Sequence, residues 1–139
     1  MPVSFLDLQL AFEFVSSGGM GENEAYLDRQ SGKIYWHSEF GDNEEELPDD
    51  IDDKKYILIP DKRELDLGKP LVLDFARAFL PDDYDEVRHI FSRRGAYGRY
   101  KELLVRRGAL ERWYDFSNKS EEAALREWCA ENGIEFSDT

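Results

Sequence analysis

The sequence predicts an α+β fold, because its hydrophobic period changes once along the chain. Before Pro60 the clearest apolar pattern alternates, as in half-buried strands, and after Pro60 it recurs every three or four residues, as in amphipathic helices. Acidic and glycine-containing stretches bound the strand-like runs, and prolines punctuate the helical ones. The expected architecture is a small antiparallel sheet from the N-terminal half, covered by a C-terminal bundle of about four helices. It is expected as a single domain over residues 1–139.

The first element runs from Ser4 to Ser17. Leu6, Leu8, Leu10, Phe12 and Phe14 alternate like a strand, yet Phe5, Leu8, Phe12 and Val15 also share one helical face. Ser4 with Asp7 resembles an N-terminal cap, and Gly18-Gly19 can stop a helix. Both periods fit; helix is preferred. Glu24–Asp28 and Lys33–Ser38 then read as a hairpin around Arg29-Gln30-Ser31-Gly32, with Gly32 supplying positive φ and Tyr26, Ile34 and Trp36 suited to a half-buried sheet. From Glu39 to Asp53 nine of fifteen residues are acidic, so this self-repelling run is expected as a solvated loop. Lys55–Ile59 is the third strand, ended by Pro60.

Beyond Pro60, Leu71, Val72, Phe75, Ala78 and Phe79 form one stripe, with Pro70 in the first turn and Pro81 closing the helix. Asp82 or Asp83 caps a second helix carrying Val87, Ile90 and Phe91. Ala96, Tyr97, Tyr100, Leu103 and Leu104 mark a third. A fourth is expected from an N-cap at Ser120 to Asn132, burying Leu125, Trp128 and Cys129 before Gly133 ends it and Ile134 packs back. Trp113, Tyr114 and Phe116 are read as closing the core between the last two helices.

A chain of 139 residues can bury roughly two thirds of its unfolded surface. With 41% hydrophobic and 14% aromatic residues it has the material for a core, unlike a disordered acidic tail. The lone Cys129 excludes a disulfide framework within the chain and points to a reducing compartment. No basic residue precedes Arg29, so the start lacks the character of a secretory signal, and no run approaches the roughly 18 apolar residues of a membrane span. A cytoplasmic protein is expected, with no membrane partner.

In this order the features resemble a family of small acidic bacterial proteins of uncharacterised function. Four pieces carry the resemblance: Tyr26-Leu27-Asp28 before the Gly32 turn, Gly95 through Lys101, Trp113-Tyr114-Asp115-Phe116, and Glu127-Trp128 leading to Asn132-Gly133-Ile134. The chain departs from that pattern with Tyr97 and Tyr100 where phenylalanine is usual, Cys129 where an aliphatic residue stands, and an acidic stretch before Lys54 without counterpart. The resemblance supports the fold and implies no activity, substrate or catalytic residue.

Chemistry-bearing constellations are sparse. His37, His89 and Cys129 lack metal-ligand spacing, and the acidic run lacks the alternating ligands, sixth-position glycine and distal glutamate of a calcium loop. Gly18-Gly19 and Gly21 have neither the lysine nor the preceding strand of a phosphate loop. Asp52-Asp53-Lys54 has the carboxylate-to-lysine spacing that a strand can place on one face, with Asp28 as the sole attractive companion acid; a metal-dependent carboxylate enzyme ranks third among the functional readings. No catalytic residue, cofactor or metal is assigned.

The formal charge is −13, which opposes phosphate, but the balance is uneven. Residues 88–112 hold eight basic and two acidic residues, a local +6, against −19 elsewhere. Arg93, Arg94, Arg99, Lys101, Arg106 and Arg107 are interleaved with Phe91, Tyr97 and Tyr100, a composition that can grip phosphate and stack bases. Helical spacing also places both tyrosines with Leu103 and Leu104 as core and Glu102 within reach of Arg99 and Arg106, and the arginines can equally meet the chain's own Glu44–Asp53 loop, so structural use within the molecule competes with any partner. The favoured reading is a non-enzymatic binding or adaptor domain that selects a protein partner, a second copy included, through this charge asymmetry. The alternative is a nucleic-acid-associated protein presenting the same six cations.

Overall fold

The computed structural model describes residues 2–17, 22–39 and 46–138, and these form an α+β protein. The chain organises into two compact units: Asp66–Ala123, and the segments that precede and follow it. Among the described residues no helix is long and apolar enough to cross a membrane.

The first unit begins with the two-residue strand β1, Val3–Ser4, and the helix α1, Phe5–Ser16. Ser4 caps α1 by accepting the Asp7 amide at 3.4 Å, as its sequence predicts. The helical period prevails over the alternating one. Phe5, Leu8, Phe12 and Val15 are buried together, whereas Leu6 and Leu10 are 58% and 48% exposed. Ser17 caps the C-terminus; Gly18 and Gly19, expected to stop this helix, lie outside the described residues.

The antiparallel sheet has the order β3-β2-β4, with β2 at Asn23–Asp28, β3 at Ile34–Ser38 and β4 at Tyr56–Leu58. The hairpin turn closes through the Gly32 amide on the Asp28 carbonyl at 2.8 Å, and Gly32 takes φ 78° as anticipated. Register places Ala25 opposite Trp36 and Leu27 opposite both Ile34 and Ile57. Ala25 and Leu27 are buried on this side, and Phe14 of α1 meets Trp36 there at 4.9 Å between ring centroids. Tyr26 pairs with Tyr35 and Leu58, so strand alternation puts it on the opposite face from Ile34 and Trp36. Residues 46–48 are irregular and 49–53 form turns and a bend ahead of β4, in keeping with the acidic loop; residues 40–45 lie outside the described set.

The last turns of α5, Leu110–Glu131, and the strand β5, Phe136–Ser137, complete this unit. β5 pairs in parallel with β1, Val3 against Phe136 and Ser4 against Ser137. Gly133, with φ 65°, lets the Ile134 amide reach the Cys129 carbonyl at 2.8 Å and the Gly133 amide reach Ala130 at 3.3 Å, a Schellman closure. The Arg126 guanidinium lies over Phe5 and Phe136 and binds Asp138 at 2.7 Å, tying α5 to both terminal segments. Leu125 and Cys129 are buried as expected. Trp128 is only half-buried.

The second unit packs α2, Lys69–Phe79, α3, Tyr84–Ile90, α4, Ala96–Arg106, and the first part of α5 around Phe75, Tyr100 and Leu103. Leu71, Val72 and Phe75 are buried on α2, but Ala76 takes the place expected for Ala78, and Phe79 is 42% exposed at the helix end. A single 3-10 turn, Pro81–Asp83, precedes α3. Asp83 occupies the cap position without capping, because its carboxylate is bound by Arg107. The largest correction concerns α5, where Ser120 lies within the helix rather than at its N-cap. No glycine or proline interrupts Leu110–Glu131, so the helix propagates from the Gly108 stop of α4. Trp113 and Phe116 are therefore rungs of α5, facing Phe75, rather than a link between two helices.

Candidate functional site

The basic segment folds as the end of α3, a connection at residues 91–95, and α4. Tertiary structure divides its six candidate cations. Arg106 and Arg107, at the C-terminal end of α4, turn back to α3 and the turn before it. Arg107 makes a two-pronged bond to Asp83 at 2.9 and 3.0 Å, and Arg106 meets Glu86 at 3.4 Å. Glu102, expected to serve Arg99 and Arg106, makes no ion pair among the described residues, because α3 carries a competing acid within reach of Arg106.

Arg93, Arg94, Arg99 and Lys101 are exposed and make no ion pair among the described residues. Arg93 and Arg94 sit in the connection, while Arg99 and Lys101 flank the buried Tyr100, about 160° apart around α4. The four thus border the N-terminal half of α4 rather than pointing along one line. Gly95 precedes this helix in left-handed conformation with no capping side chain, and no acidic residue lies in its first turn. The connection is held from beneath, where Phe91 meets Tyr97 at 5.0 Å and Tyr100 at 5.4 Å, both edge-on. Together with the Arg106 and Arg107 pairs, these rings brace the segment at both ends.

The interleaved aromatics separate as well. Tyr100 is 1% exposed, packed between Phe91 and Trp113, as its spacing with Leu103 predicts. Tyr97 was expected in the same core but remains 47% exposed, because it lies toward the flank of α4, where its ring meets Phe91 edge-on. Burial pushes both phenols above their ordinary ionisation range.

The Tyr100 hydroxyl is sealed in this core with no hydrogen-bond partner among the described residues. An orphaned buried hydroxyl costs about 1–3 kcal/mol, so Tyr100→Phe is expected to stabilise the protein by about 1 kcal/mol. Urea unfolding checks this. A loss of similar size instead would show that the hydroxyl is satisfied in solution.

The remaining candidates do not converge. Asp52, Asp53 and Lys54 lie in the turn before β4 rather than on a strand, with the Asp53 carboxylate accepting the Lys55 amide at 3.1 Å. Asp28 is opposite Tyr56, and its carboxylate accepts the Gln30 and Ser31 amides. Burial raises its affinity for the proton, but those amides, the Ser31 side chain and the Lys55 charge together hold it below the usual carboxylate range. The other buried carboxylate among the described residues, Asp61, is held low by the fork of Arg63 at 2.8 Å. Both acids are thus tied into local hydrogen-bonding networks. Among the described residues no three of His, Cys, Asp and Glu are grouped to hold a metal ion. His37 is half-buried on β3 and His89 exposed on α3, and the buried Cys129 thiol is pushed up to about 11 by desolvation, which leaves it protonated and unreactive at neutral pH.

No family model, curated protein or solved structure matches the chain. The reading of this site therefore rests on its geometry and charge. Sequence reasoning identified the cations but missed the acids that neutralise two of them. Asp83 and Glu86 lie 24 and 20 residues before Arg107 and Arg106 in sequence, and the local signal that existed, Glu102, pointed elsewhere.

Proposed function

We propose that this chain is a non-enzymatic binding domain that holds an acidic protein surface through Arg93, Arg94, Arg99 and Lys101. The observation that carries the reading is the division of the cations: Arg106 and Arg107 are neutralised by α3 and its preceding turn, while the other four make no ion pair among the described residues on a braced segment. Unpaired charges on a rigid support meet a partner with little ordering entropy, which favours recognition.

Nucleic acid is disfavoured on two grounds. Of the three rings interleaved with the cations, Tyr100 is core and Phe91 is half-buried, leaving Tyr97 as the exposed stacking surface. The surrounding chain also carries −19 outside residues 88–112, and a nucleic acid brings a dense line of phosphates into that field.

The test titrates labelled polyglutamate, single-stranded DNA and RNA, and duplex DNA, against wild type and the triple variant Arg93→Glu, Arg94→Glu, Arg99→Glu. Wild type is expected to bind polyglutamate at about 0.15 M salt, the variant to lose it, and nucleic acid to bind neither. Micromolar or tighter nucleic-acid binding at that salt, abolished in the variant, overturns the proposal in favour of the phosphate-binding alternative.

A further inference from the structure

We propose that the acidic surface met by this patch is the 39–53 segment of a second copy of the same chain, an inference that rests on the acidic-protein reading above. The two surfaces are complementary in charge, and every copy carries both. The patch offers four exposed cations without ion pairs among the described residues, set around one exposed acid, Glu102, and the segment offers nine acids in fifteen residues. Of its described acids, Asp50 is engaged by Lys55 at 3.2 Å, whereas Glu46, Asp49 and Asp52 are exposed and make no ion pair among the described residues.

Apolar features match as well. Tyr97, Lys101 and Val105 follow one another at four-residue steps along α4, so a cation lies between an aromatic ring 47% exposed and an aliphatic side chain 59% exposed. Beside this ridge, a side chain at Gly98 would meet nothing within 4 Å, so the surface there is open. Such a ridge suits an acidic segment with apolar residues set among its charges. The 39–53 segment has that composition, with Phe40, Leu47 and Ile51 between its acids.

The net charge of −13 on each copy opposes association at long range. At physiological salt the screening length is about 8 Å, so charges in direct contact outweigh that distant repulsion. Because the two surfaces are different parts of the chain, the contact is heterologous, and copies add head to tail.

Sedimentation velocity at about 0.15 M salt tests this over rising protein concentration, since both contact and screening are then near their working values. One variant reverses the patch at Arg93, Arg94, Arg99 and Lys101 to Glu; another reverses the segment by Glu46→Lys, Asp49→Lys and Asp52→Lys. Wild type should grow in apparent mass with concentration, and each variant alone should remain monomeric. Their mixture should form a one-to-one complex that grows no further, since it retains one intact patch and one intact segment. If a variant fails to fold, a synthetic peptide of residues 39–53 added to wild type should dissolve the assembly; growth insensitive to that peptide overturns the proposal. A wild type that stays monomeric while its patch still captures polyglutamate overturns the second copy as occupant and leaves the acidic-protein reading standing. Failure of both measurements overturns both.

Discussion

Phe75→Ala is expected to destabilise the protein by about 3–5 kcal/mol, the range for emptying a fully buried aromatic site. Phe75 is 0% exposed and touches three other rings, Phe79 at 4.9 Å and Trp113 and Phe116 at 5.3 Å each between centroids. Those rings come from α2 and α5, so removing the central one opens a void that no single neighbour can fill by changing rotamer. Urea unfolding monitored by helical circular dichroism measures the effect. Trp128→Ala, which burial in the last helix would place in the same range, should lose less because Trp128 is half-buried. A Phe75 variant within about 1 kcal/mol of wild type would mean that this core is loosely packed and collapses around the deletion.

Leu8→Ala is expected to lose about 2–5 kcal/mol, while Leu10→Ala should stay within about 0.5 kcal/mol of wild type. The comparison separates the two periods written into the first element. As a strand, Leu6, Leu8 and Leu10 would share one face and respond alike. In the helix, Leu8 is 0% exposed while Leu6 and Leu10 are largely open to solvent. Equal losses at positions 8 and 10 would show that the segment is not helical in solution, or that its outer face is covered there.

Much of the architecture was legible because it follows from local periods. The cap at Ser4, the Gly32 turn and the Gly133 stop each depend on residues within a few positions, where backbone preference and one hydrogen bond decide the conformation. Ser120 misled for the same reason: it is a good cap in isolation, but a cap acts only where the preceding residues leave the helix, and those from Leu110 onward do not. The candidate site was legible as composition alone. Spacing on α4 found Tyr100 as core, yet overstated Tyr97, whose burial depends on whether a neighbouring element covers that flank.

The sequence by itself determined the α+β class, the three strands of the antiparallel sheet, the run of helices after Pro60 and the concentration of positive charge, since these depend on periodicity and residue type. Tertiary structure alone decided which cations are available. Asp83 and Glu86 reach Arg107 and Arg106 only after α3 and α4 fold back on one another, and β1 finds β5 only when opposite ends of the chain meet. Ion pairs and strand pairings between distant segments are set by chain topology rather than by residue spacing. The free energy that selects that topology is the burial of the cores around Phe75 and Leu8, to which the charged side chains contribute little.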